Sequence, residues 1–277
     1  SGASALNSLV LAASGKMPRP ETLKMALDQG GRGILTDFMR GSGIRNETPD
    51  AVYWANWVTE GLNWHVECED REFIAYSISP RNGDRLRAAL ELGEVEAMAE
   101  SDGRRYTGVL PAVSAVITGR RSEELWLLAH LFEPLIDDTS TGVAGAVEMA
   151  RVIKGLIAGG DVPRLEFSLR LVFASELYGF AAYATSVGTN LRERCIGAMN
   201  LDSMPSGNPG ERFQPQFSPA ATPFFGNSIL EILSGEYRGN PPIDRIRYEG
   251  GYSDDTFMSD PDIGLPTAWI QIGRAHV

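Results

Sequence analysis

The apolar and polar positions of the chain alternate between two periods, and the change from one to the other sorts it into strands and helices. Short apolar runs predict strands at 6–13, 33–38 and 73–78, with an amphipathic helix at 21–29 closed by Gly30 and Gly31. Residues 80–83 read as a turn into a helix at 84–92. Asp102-Gly103 is a hairpin signal between apolar runs at 95–99 and 106–109. From residue 113 the pattern lengthens into strand–helix alternation, with strands at 113–117, 125–129, 165–174 and 196–201. Helices are predicted from about 142 to 158 and at 178–187, with Thr139, Ser140 and Thr141 able to cap the first of them. Residues 206–222, rich in Pro, Gly, Ser and Asn, read as a long surface loop. A short helix at 228–234, a loop at 250–263 and an apolar segment at 266–270 follow.

Apolar runs with helices between them predict an α/β fold with an open sheet, preceded by a region of mixed short elements. The change of pattern puts the boundary at 111/112, giving domains of 1–111 and 112–271. At 277 residues there is enough chain for both. The net charge of −11 argues against a nucleic-acid or anionic-membrane partner, each of which needs a basic face. No apolar run approaches the length of a membrane span. The two cysteines, Cys68 and Cys195, allow at most one disulfide and do not fix a compartment. Oligomeric state is open.

Three successive predicted strands finish in residues that bind metals. The run at 125–129 delivers His130, with Asp138 eight residues on at a helix entry; 165–174 leads to Glu176, and 196–201 to Asp202. In an open α/β sheet the ligand crevice lies at the carboxyl ends of the strands. Taken singly, each side chain reads as a hydrogen-bonded histidine, a helix cap or a solvent-facing acid. One imidazole and three carboxylates converging on one rim instead suit a divalent cation, zinc above others. Gly250-Gly-Tyr-Ser-Asp254-Asp255 is a further acidic candidate.

These residues resemble a known family. His130-Leu-Phe-Glu-Pro-Leu-Ile-Asp-Asp138-Thr-Ser-Thr-Gly142 is similar to the first metal motif of the zinc aminopeptidases of metallopeptidase family twenty-eight, written HLYEPGANDNASG in one branch. Glu176-Leu-Tyr-Gly179 resembles that branch's ECYG-type motif, and Asn200-Leu-Asp202 the family's NLD. Ser253-Asp254-Asp255-Thr-Phe257 with Ile263-Gly-Leu-Pro266 resembles its SDHxxF…GIP. Residues 9–13, 26–36 and 75–90 are similar to a protease-associated domain, so the resemblance implies a three-layer αβα sandwich on a mixed, mainly parallel sheet, preceded by a smaller β-rich domain.

The resemblance implies a peptide substrate and an N-terminal cleavage site. It makes His130, Asp138 and Asp202 ligands of one zinc, with Asp138 bridging to a second, and Glu176 the general base. Glu133, Asp254 and Asp255 are candidates to hold the substrate, the first two through its α-ammonium group. The chain departs from the pattern at Leu177, where a second Glu is usual, at Thr139 for Asn, and at Asp255 for His. The last metal-binding histidine is expected beyond the final strand, and His276 is too close to Ile270 to take its place. The tail Ile272-Gly-Arg-Ala-His-Val277 is what ATC-GGA-AGA-GCA-CAC-GTC would encode, a string resembling a sequencing adapter, so 272–277 are expected to be non-native. Two other readings share this scaffold: a non-catalytic relative acting as a binding domain, and an acyltransferase of the glutaminyl-cyclase kind.

Overall fold

A computed structural model describes residues 8–16, 18–39, 43–53, 71–104, 106–132, 140–205, 211–243 and 253–273. The chain divides into two compact units, Ser1–Thr107 with His276–Val277, and Gly108–Ala275.

The first unit is a three-stranded parallel sheet in the order β1 (Leu9–Leu11), β2 (Gly33–Thr36), β3 (Ile74–Ser77). Helices α1 (Pro20–Asp28), α2 (Ile44–Glu47) and α3 (Pro80–Leu92) accompany it. Its described residues carry more helix than strand, which corrects the β-rich expectation. The strands are three or four residues long and parallel, so each return of the chain needs a crossover that helices supply. The core gathers on Ala12, Leu23 and Ile34. Helix α3 starts four residues earlier than predicted because Ser79 caps it through Asn82 N–H and Pro80 fits its first turn. Gly83 inside that helix is also explained, since a Cβ there would overlap the buried Asp37 carboxylate. That carboxylate is held by Arg45 and Arg87.

The second unit is built on six strands: β4 (Val113–Ile117), β5 (Glu124–Leu131), β6 (Ser168–Ser175), β7 (Cys195–Leu201), β8 (Arg212–Gln216) and β9 (Thr267–Gly273). Their order is β4-β6-β5-β7-β9-β8; the inner four are parallel, and the two edge strands run antiparallel. Helices α4 (Thr141–Gly159), α5 (Tyr178–Val187), α6 (Leu191–Arg194), α7 (Gly226–Glu236) and α8 (Asp254–Met258) complete the unit. It is α/β with a mixed, mainly parallel sheet.

Strand periodicity explains the layering. Along β5, Leu127 and Ala129 pack with Ala146 of α4 on one face, while Trp126 and Leu128 pack with Phe180 of α5 and Met258 of α8 on the other. Both faces are covered, which is why β5 reads as an unbroken apolar run. At the start of β5, Glu124 is buried against Arg170, Arg194 and the Trp126 indole N–H.

Further predictions fail. Residues 95–99 and 106–109 form no hairpin: the described residues there have no regular structure, and Met98, Tyr106 and Val109 are exposed. A hairpin with no apolar surface to cover has nothing to hold it together. The loop predicted at 206–222 contains β8, whose polar sequence and Pro215 suit an edge strand. Strand β9 continues through Ile272 and Gly273, opposite Phe213 and Arg212. Among the described residues no helix is long and apolar enough to cross a membrane.

Candidate functional site

Topology creates the crevice before any side chain fills it. From β5 the chain passes through α4 to β6 on one side, then through α5 to β7 on the other. Two crossovers of one hand running in opposite directions, β5 to β6 and then β6 back past β5 to β7, put α4 and α5 on opposite faces, and the rim above β5 is left open between them.

Register then decides which side chains reach that rim. Residues 126, 128 and 130 share one face of β5, so His130 continues the stripe that packs under α5 and α8. Leu128 pairs with Asn200, which brings Asp202, two residues on, level with His130. His130 pairs with Ala174, so Glu176 stands one pleat further along. All three are nearly inaccessible, with His130 at 1% exposure.

The imidazole is gripped from both ends. His130 Nδ1 lies 3.1 Å from Asp254 Oδ2, and Nε2 lies 3.6 Å from Asp202 Oδ1. Both carboxylates only accept, but Asp254 alone is within hydrogen-bond reach, so the single proton of a neutral ring belongs on Nδ1 and Nε2 is the nitrogen on the Asp202 side. The separation on that side is too long for a hydrogen bond. Two donors at about 2.1 Å from a tetrahedral ion stand roughly 3.4 Å apart, close to this spacing.

Glu176 lies on a strained turn. Leu177 has φ 53° and ψ −69°, and Tyr178 N–H donates to the Glu176 carbonyl at 2.6 Å. This is a γ-turn of the rarer hand, a conformation that costs a non-glycine residue of order 1–3 kcal/mol. Asp254 Oδ1 anchors it by accepting from Leu177 N–H at 2.7 Å. Ser253 Oγ donates to Glu176 Oε1 at 3.2 Å and accepts from Asn200 Nδ2 at 3.3 Å. Ser253 and Asn200 are members of the site that sequence reasoning passed over, although both stand inside the motifs quoted for it.

Asp254 is fully buried, with one oxygen on His130 and the other on the Leu177 N–H. Asp255 is 1% exposed, and burial pushes its carboxyl up to about 7. Glu133 and Asp138 lie outside the described residues. Helix α4, which follows them, meets the rim at Gly142, where a Cβ would overlap the carbonyl oxygens of Leu201 and Asp202. Thr141 does not cap α4; its hydroxyl accepts from Met204 N–H at 2.9 Å, fastening the helix start to the end of β7.

The donor set fits a metal in part. Among the described residues no group of three or more His, Cys, Asp or Glu side chains is disposed to hold an ion. Asp254 sits on the wrong nitrogen of His130 to share one with Asp202. Those two residues therefore supply an imidazole and a carboxylate, and any further ligand comes from elsewhere. A cavity of about 600 Å³ opens beside the Glu176 turn, lined by Leu177, Ser253, Thr256, Phe257, Asp260 and Ile263 among others. A second, of about 490 Å³, lies in the first unit and holds none of the predicted site residues.

No family model matches the chain, and no curated protein does. Solved structures share its fold. A zinc aminopeptidase from Bacillus subtilis superposes in two crystal structures over 98% of this chain, with TM-scores of 0.63 and 0.60 and identities of 14% and 15%. A protein from Clostridium acetobutylicum provisionally assigned as a peptidase matches 75% of the chain at a TM-score of 0.55 and 16% identity. The chain spans 62% and 61% of the Bacillus structures and 44% of the Clostridium one.

Proposed function

We propose that this chain carries the catalytic unit of a zinc-dependent aminopeptidase of the family-twenty-eight kind, acting on the N-terminal bond of peptides. The observation that carries the reading is the 3.6 Å separation of His130 Nε2 and Asp202 Oδ1 at the switch point of the sheet, with Nδ1 already committed to Asp254. The motif resemblance and a fold shared with a zinc aminopeptidase support it. Zinc is taken by His130 and Asp202, with Asp138 as the third ligand on the strength of the resemblance, and the first unit is assigned as protease-associated-like on the same ground.

Bound zinc would acidify a water and polarise the scissile carbonyl. The residues of the chain do the remainder. Glu176 accepts the proton of the attacking water and returns it to the leaving amine; Ser253 fixes the plane of its carboxylate through Oε1. The γ-turn at Leu177 presents that carboxylate from a rigid strand end. The mainly apolar cavity beside the turn receives the side chain next to the scissile bond.

The test is Glu176→Gln, which keeps the shape and removes the base. Turnover of aminoacyl 4-nitroanilides by the zinc-loaded protein is expected to fall about 10²–10⁴-fold with zinc still bound. Full activity in the variant would overturn the assignment of Glu176. Stoichiometric zinc with no turnover by the unaltered chain on any aminoacyl substrate would favour the non-catalytic reading.

A further inference from the structure

We propose that Asp254 is a positioning residue, which fixes His130 as the Nδ1–H tautomer and clamps the Glu176 turn, so that imidazole and base are held as one unit. For the metal this rests on the function proposed above; for the tautomer it rests on geometry alone.

Asp254 begins α8, an element 124 residues from His130 in sequence, and is fully buried. Its two oxygens divide between two jobs. Oδ2 faces His130 Nδ1 at 3.1 Å, and Oδ1 takes the Leu177 N–H at 2.7 Å. The first contact keeps the proton off Nε2, the nitrogen that faces Asp202. The second holds a residue at φ 53°, a conformation that persists only where its surroundings impose it. His130 lies near the end of β5 and Leu177 two residues past the end of the adjacent parallel β6, and one carboxylate spans both. A side chain with a single acceptor cannot serve both donors, because whichever oxygen becomes an amide nitrogen turns a donor toward a donor. Asp254 is thus a carboxylate by necessity rather than by charge alone.

Nitrogen-15 spectra of histidine-labelled, metal-free protein at a pH where imidazole is neutral read the tautomer directly, with His130→Gln identifying the signal. The wild type is expected to show Nδ1–H; D254N is expected to gain the Nε2–H form, because its amide donor can face Nδ1. Zinc affinity of D254N, measured by chelator competition, is expected to fall about 10–100-fold, and D254E, which keeps two acceptors, to regain part of it. An Nε2–H tautomer in the wild type overturns the proposal, and this result stands even if D254N fails to fold. A folded D254N with unchanged tautomer and zinc affinity overturns it equally. Wild-type protein with the Nδ1–H tautomer and no zinc affinity supports the role of Asp254 and overturns the aminopeptidase reading instead.

Discussion

His130 and Asp202 end neighbouring parallel strands, and their facing atoms, Nε2 and Oδ1, stand 3.6 Å apart. Neither strand could bring its residue there alone: the pairing of Leu128 with Asn200 sets the level, and the pleat sets the face. A shift of one residue in that register would turn Asp202 to the α4 side of the sheet.

On the function proposed above, removing one member of the pair is felt by the metal. Asp202→Ala is expected to weaken zinc binding at least about tenfold in competition with a chelator. Unchanged affinity would remove Asp202 from the ligand set.

Gly142 gives a prediction whose sign opposes helix propensity. In an exposed helix, Gly→Ala gains about 1 kcal/mol. Here the added Cβ meets the backbone carbonyls of Leu201 and Asp202, which cannot swing aside as a side chain would. Gly142→Ala should destabilise the protein by about 1–3 kcal/mol, seen as a lower midpoint in urea. A gain in stability would mean that α4 does not press on the end of β7.

Glu124 sets an acid limit. Burial pushes its carboxyl up, but hydrogen bonds from Arg170, Trp126 and Arg194 outweigh this and bring it to about 2. The folded state thus holds the charged form more firmly than the unfolded one, whose value is near 4.5. The resulting stability, on the order of 3 kcal/mol, is present above pH 4.5 and drains away as pH falls toward 2. Unfolding in urea at stepped pH should show this loss in the wild type and much less of it in Glu124→Gln. Parallel curves for the two would refute the account.

Asp255 works in the opposite direction. Its carboxyl is raised to about 7 by burial, with the Thr256 N–H lowering it and the Asp254 charge raising it further. The folded state keeps a proton that the unfolded state has lost, so stability declines as pH rises from about 4 to 7. Asp255→Asn never ionises. The metal-free variant should match the wild type near pH 4 and exceed it at pH 8, by on the order of 4 kcal/mol at most. Equal stability of the two at pH 8 would contradict this.

Much of the second unit was legible because its inner strands are buried on both faces and its longest helices are long enough to show their period. The helix at 178–187 was bounded to the residue, and His130, Glu176 and Asp202 could be picked out as the residues ending parallel strands. The first unit was harder, because strands of three or four residues leave too short a record of period. The turn signal at Asp102-Gly103 is local, while a hairpin needs a surface to pack on, and none is offered there. Strand β8 is polar because it is an edge, and so looked like loop. Asp254 was visible as an acid inside a motif, but its work depends on a neighbour 124 residues away, which no local pattern records.

Strand β5 has one further consequence. It begins in the Glu124 ion cluster and reaches His130 six residues later, a span of about 20 Å. Side chains so far apart that share no partner usually perturb a protein additively. Anchor and chemistry are thereby insulated from each other along a single rod. The lower end can be rebuilt for thermal endurance, or left to drift, without retuning the upper.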